Sequence, residues 1–307
     1  MKYKKGANMN KPVILLVSEL HNDFESNLFE IKNVLNKIDD TNFKMSYIYC
    51  YSLFEGALNQ MAKTVCYAFP GRVVNSDVLN NISTKDLVEL ISDEDGIEEI
   101  VDIRIRKRSK NDLLEIIREY SKLLEISISG FSSFDEKLLI QISRERNNLV
   151  HAHTLAETNE YHNRPAYKYI KIDKAKEYIE ALIKLMEDIL KAVDAKYIDF
   201  TFNKLFLDSV EYTLGKCLNK PFYVINNDKY TLNLENCEYL SKALSGGERY
   251  VLGWWLYLYS DTIGATYGIN ILKKVSFLDE GTLAKIKYLK EFGRKFPFVL
   301  DGQHGIK

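Results

Sequence analysis

Charge of one sign is missing from this sequence: 42 Lys and Arg stand against 43 Asp and Glu, a formal net charge of -1 over 307 residues. The molecule as a whole has no field that would gather nucleic acid, so any such site must be a local patch. Cysteine is scarce. The four, Cys50, Cys66, Cys217 and Cys237, include no CxxC pair and no histidine at ligand spacing. They read as buried thiols of a reducing cytoplasm, against a zinc site or a disulfide framework. With only 5 Pro and 15 Gly there is no long linker, and domains of about 100–200 residues imply two globular units.

Long apolar runs are missing too. The best candidate, YVLGWWLYLY (residues 250–259), falls short of the ~18 residues a membrane span requires. The basic opening MKYKK leads only to the short run from Val13 to Val17 before Ser18 and Glu19, less than the ~7–15 apolar residues of a signal core. The expectation is a soluble, cytoplasmic chain with no membrane contact.

What is there is mostly helical periodicity up to about residue 196. Pro12 suits a helix start, and Phe24, Leu28, Ile31, Leu35 and Ile38 keep the three-to-four spacing of an apolar stripe. FKMSYIYCYSLFEGALNQMAKTVCYAF, closed by Pro70 and Gly71, is apolar almost all round and reads as the central helix of a bundle. Three more amphipathic segments follow, NDLLEIIREYSKLLEI, SFDEKLLIQISRERNNLVHAHTLAE and DKAKEYIEALIKLMEDILKAVDA, with Ser133 or Asp135 and Asp173 as candidate N-caps. After residue 196 the pattern changes. PFYVI and KYTLNL, separated by Asn226, Asn227 and Asp228, read as a hairpin. Helices starting near LSGGERYVLGWW and at TLAKIKYLKEF alternate with strand-like KKVSFLDE and FPFVL. The expected fold class is α+β: an all-helical bundle over residues 1–196, then a small α/β lobe over 197–307.

RNNLVHAH, residues 146–153, is the first stretch that suggests chemistry. At 100° per residue Asn147 and His151 share one helix face, and the long Arg146 side chain can lean toward it. An Arg offers a fixed charge and a bidentate fork for phosphate; a His exchanges protons near neutral pH. Together they suit RNA cleavage by an adjacent 2′-hydroxyl, which needs proton transfer and charge stabilisation but no metal. The same residues also fit the solvated surface of a helix, with His153 packing beside Leu149 and Val150. Glu55 is the one acidic residue of the central helix; it is either partnered by a cation such as an Arg or exposed.

RNNLVH in a late helix of a bundle resembles the signature of HEPN domains: Arg, a polar residue that is often Asn, three more residues, then His. The resemblance extends in layout over roughly residues 12–195 and is specific at Arg146, Asn147 and His151. It implies a homodimer with the two motifs facing across a cleft, and metal-independent endoribonuclease activity of the kind found in prokaryotic toxin and antiviral defence systems. It also implies an acidic or polar residue on an earlier helix near the site, for which Glu55 is the candidate.

A second constellation lies downstream. Ser245, Gly246 and Gly247 precede a helix whose amides can face a phosphate, and the strand-like VSFLDE ends in Asp279 and Glu280, suited to Mg²⁺ and a water. These segments resemble the signature motif and Walker B strand of ABC ATPases, particularly the SMC-like branch, with His304 in the place of a switch histidine. There is no GxxxxGK[ST]: the one Gly-Lys pair, Gly215-Lys216, runs into Cys217. ATP and Mg²⁺ would therefore bind only with a partner ATPase that supplies the phosphate loop; a helix entry in a small domain explains the same residues without nucleotide. The basic RIRKRSK, residues 104–110, reads either as a phosphate-contacting loop or as a solvated run paired with the preceding acidic SDEDGIEEIVD. The readings that result are an endoribonuclease acting on RNA under an ATPase partner, or a non-catalytic dimeric adaptor that docks on such an ATPase.

Overall fold

The computed structural model describes residues 10–74, 99, 101–102, 112–156, 170–215, 220–226, 229–259, 263–264 and 278–296. Its described part is mostly helical with one small two-stranded sheet. Two compact units divide it, Leu15–Asp199 and a second from Phe200 onward that also takes in the residues up to Ile14.

The first unit holds α1 (Val17–Lys37), α2 (Phe43–Ala68), α3 (Pro70–Val74), α4 (Leu113–Leu124), α5 (Glu136–Ala156) and α6 (Ile172–Tyr197). Pro12 does not open the first helix. That helix begins at Val17, where Glu19 reaches back to accept from the Leu16 N–H at 2.7 Å. Phe24, Leu28 and Ile31 form its buried stripe; Leu35 is half-buried, and Ile38 is buried just past the helix end. α2 packs against α1, α3, α4, α5 and α6. It buries ten side chains from Tyr47 to Cys66, yet Met45 and Tyr49 stay exposed, so it is central without being enclosed.

Caps set where these helices begin. Asp112 Oδ1 accepts from the Glu115 N–H at 2.9 Å at the start of α4. Of the two candidates before α5, Asp135 takes the capping role, its Oδ1 accepting from the Leu138 N–H at 3.1 Å, while Ser133 Oγ donates to Asp188 at 2.7 Å. Asp173 falls one residue inside α6 rather than capping it, because Lys171 is the residue with extended backbone. α4 ends on Glu125 in the left-handed region (φ 51), a conformation that favours glycine. Arg72 and Lys196 hold that residue by its carboxylate, at 3.0 and 2.8 Å.

The second unit contains α7 (Phe202–Leu214), β1 (Tyr223–Asn226), β2 (Lys229–Leu232), α8 (Leu234–Ala243), α9 (Gly246–Tyr259) and α10 (Glu280–Lys295). β1 and β2 pair antiparallel, Tyr223 opposite Leu232 and Asn226 opposite Lys229; Asn227 and Asp228 of the expected turn lie outside the described residues. An aromatic cluster forms the core, with Trp255 against Phe206 (5.3 Å between centroids) and Phe292 (5.4 Å). Its indole N–H donates to Thr213 Oγ1 at 2.9 Å, which satisfies the polar edge of a buried ring. Among the described residues this unit is helices around a hairpin, not an alternation of strands and helices. The strand-like residues 273–277 and 297–300 lie outside them.

Cys50, Cys66 and Cys237 are buried free thiols. Burial pushes Cys50 up to about 12 and Cys237 to about 11, so neither is a thiolate near neutral pH. No described helix is long and apolar enough to cross a membrane.

Candidate active site

Helical spacing on α2 and α5 builds the site. Tyr47, Tyr51 and Glu55 recur every four residues on α2 and so share a face. On α5, Ile142 and Ser143 lie one turn before Arg146. Tyr47 Oη donates to the Ile142 carbonyl at 2.6 Å, and Tyr51 Oη pairs with Ser143 Oγ at 3.3 Å. One turn further on, the Arg146 guanidinium sits over the Tyr51 ring, 5.1 Å from its centroid. The Leu113 N–H at the head of α4 donates to Ser143 Oγ at 2.7 Å, tying a third helix to the seam.

The electrostatics follow from this packing. Glu55 is half-buried. Burial pushes its carboxyl above the ordinary carboxylate range, and the charge of Arg146 offsets only part of that. Tyr51 is buried as well. Burial raises its phenol most, the Ser143 hydrogen bond opposes this, and the charges of Glu55 and Arg146 act in opposite directions. Arg146 Nη1 donates to Asn147 Oδ1 at 3.0 Å, whereas Nε is buried and meets no acceptor among the described residues. Asn147 is exposed. A phosphate can therefore meet this guanidinium only by its Nη end, beside Asn147.

Of the expected site residues, Arg146, Asn147 and Glu55 come together, and the open choice for Glu55 resolves to a half-buried carboxyl in the field of Arg146 rather than an exposed one. His151 belongs to the backbone of α5, one turn after Asn147; its side chain, that of His153, and the basic residues 104–110 lie outside the described residues. Tyr51 and Ser143 were not anticipated from the sequence. The one available signal was that each stands a single turn from a residue already singled out.

The second constellation also converges, but in a different form from the one expected. Gly246 and Gly247 are the first residues of α9 and not a turn ahead of it, because Glu248 folds back to accept from the Ser245 N–H at 2.9 Å and starts the helix there. A carboxylate thus takes an amide that a phosphate would use. Asp279 does not close a strand as a free metal ligand: it caps α10, Oδ1 accepting from the Thr282 N–H at 2.9 Å and Oδ2 from Thr282 Oγ1 at 2.8 Å. Glu280, exposed, is the first residue of that helix. Gly247 lets the two helix starts approach, since a Cβ there would stand 3.0 Å from Thr282 Oγ1. His304 lies outside the described residues.

No protein-family model, curated protein or solved structure matches this chain.

Proposed function

We propose that this chain is a metal-independent endoribonuclease of HEPN type, with Arg146, Asn147 and His151 as its reacting set and Glu55 beside them. The supporting observation is the seating of Arg146 over the Tyr51 ring and within the field of Glu55, with its Nε buried and its Nη1 beside Asn147. Orienting this cation in advance lets it neutralise charge that develops on a phosphate without reorganising at the moment of reaction.

In the proposed reaction an RNA 2′-hydroxyl attacks its own 3′-phosphate. His151 takes the hydroxyl proton or returns one to the leaving 5′-oxygen, and the products are a 2′,3′-cyclic phosphate and a free 5′-hydroxyl. Arg146 holds the non-bridging oxygens, and Asn147 orients His151 or the substrate beside it. A second copy would bring a second motif to the same cleft, and an ABC- or SMC-like ATPase would act on the second unit as partner, in a toxin or antiviral defence system.

Purified chain incubated with labelled RNA in excess EDTA tests the reading: cleavage should persist, and His151→Ala should abolish it while the thermal transition stays unchanged. Undiminished cleavage by His151→Ala would overturn it. The adaptor reading is favoured by one observation. Both Asp279 oxygens are engaged by Thr282, which suits a docking lobe better than a nucleotide site. A chain that binds an ATPase but leaves RNA intact would select it.

A further inference from the structure

We infer that Tyr51 is a positioning residue for Arg146, acting through the face of its ring rather than through its hydroxyl. The guanidinium lies 5.1 Å from the ring centroid, within the distance at which a cation is drawn to an aromatic face. The ring is held at its hydroxyl. Tyr51 Oη meets Ser143 Oγ at 3.3 Å, and that oxygen accepts the Leu113 N–H at 2.7 Å. The ring is thereby fixed by Ser143 of α5 and, through it, by the start of α4, and its hydroxyl bonds Ser143 rather than the cation.

Three observations make the ring the principal restraint. Arg146 Nε is buried without an acceptor among the described residues, so no described hydrogen bond fixes that edge of the guanidinium. The one hydrogen bond it donates among the described residues goes to Asn147, its own chain neighbour and an exposed side chain, a weak anchor for a long flexible arm. Glu55 acts on Arg146 as a charge, but no described ion pair joins them within 4.0 Å, so it sets no geometry. Removing the ring should free the guanidinium without removing its charge.

The test compares Tyr51→Phe, Tyr51→Leu and Tyr47→Leu in the full chain. Tyr47 is buried on the same face one turn away, with its hydroxyl on Ile142, and controls for general loosening of the seam. The first readout is the rate at which phenylglyoxal modifies Arg146, followed by mass spectrometry of the peptide that contains it. Tyr51→Phe should match wild type, Tyr51→Leu should react about three- to tenfold faster, and Tyr47→Leu should not. Equal acceleration in Tyr47→Leu, or none in Tyr51→Leu, would overturn the inference. Should Tyr51→Leu fail to fold, pentafluorophenylalanine at position 51 keeps the shape but removes the attractive face, and Arg146 should then react faster than in Tyr51→Phe; an equal rate overturns the inference. The second readout, which alone rests on the ribonuclease reading, is a fall in kcat on RNA for Tyr51→Leu that Tyr51→Phe restores. A wild-type chain that leaves RNA intact would defeat that reading, while the modification rates still decide the role of Tyr51.

Discussion

The guanidinium of Arg146 on α5 rests 5.1 Å from the ring centre of Tyr51 on α2. One helical turn along α2 from that ring, Glu55 feels the same cation. This relationship joins a residue that its spacing made conspicuous to one marked only by standing a turn from Glu55.

Under the proposed ribonuclease function, Arg146→Ala should lower RNA cleavage roughly 10²–10³-fold, the scale of losing one oriented donor at a developing oxyanion. Arg146→Lys should recover little of it, because an ammonium is a point charge without a planar fork to lie on the Tyr51 ring and pair with phosphate by two bonds. Steady-state kinetics on a short labelled RNA check both, and a lysine variant close to wild type would mean that charge alone suffices.

Glu55 should make stability depend on pH in the sense opposite to a salt-bridged carboxylate. Its folded-state value is raised, burial being the main cause. Between the ordinary value of 4.5 and the raised one, the folded chain binds more protons than the unfolded chain, so stability falls as pH rises through that window. Glu55→Gln removes the ionisation. Its midpoint in thermal melts should equal or exceed that of wild type at neutral pH, and the gap should close below 4.5. A gap that widens on acidification would contradict the burial argument.

Arg72 should matter to stability more than its place in the short α3 suggests. Its Nη1 donates to the Leu123 carbonyl at 2.8 Å and to Tyr197 Oη at 2.7 Å, Nη2 meets Glu125 at 3.0 Å, and the guanidinium lies 4.0 Å from the Phe69 ring centre. Arg72→Ala removes two hydrogen bonds to partly buried oxygens together with an ion pair and should destabilise by about 2–3 kcal/mol in urea titration. Arg72→Lys should lose part of this, having no fork to reach two acceptors.

The glycines of the second unit should behave differently from one another. A Cβ at Gly246 meets nothing within 4 Å, whereas one at Gly247 would stand 3.0 Å from Thr282 Oγ1, itself bonded to Asp279. Gly246→Ala should therefore stabilise through helix propensity, by up to about 0.5–1 kcal/mol, and raise the melting midpoint. Gly247→Ala should gain nothing or lose, and equal gains in the two variants would mean that the helix starts can separate freely.

Much of the fold was legible locally. Phe24, Leu28 and Ile31 announce a buried stripe by spacing alone, Asp135 caps the helix it precedes, and the hairpin registers Tyr223 against Leu232 where the turn residues indicate. Where local reading missed, a neighbour in sequence was the reason. Pro12 can start a helix, but Glu19 accepting from Leu16 begins it at Val17; the strand-like residues before Asp279 suggested a metal-bearing strand end, but Thr282 three residues on turns that carboxylate into a cap.

By itself, then, the sequence marked α1, α2, α4, α5, α6, α9 and α10 and the candidacy of Arg146, Asn147 and Glu55, because helix spacing and caps depend on residues three or four apart; α3, α7 and α8 were not read from it. Only the tertiary structure decided that Tyr51 lies under Arg146, that Ser143 holds Tyr51, and that Gly247 meets Thr282. Those contacts join residues on different helices, and which side chains meet there is set by how whole helix faces pack.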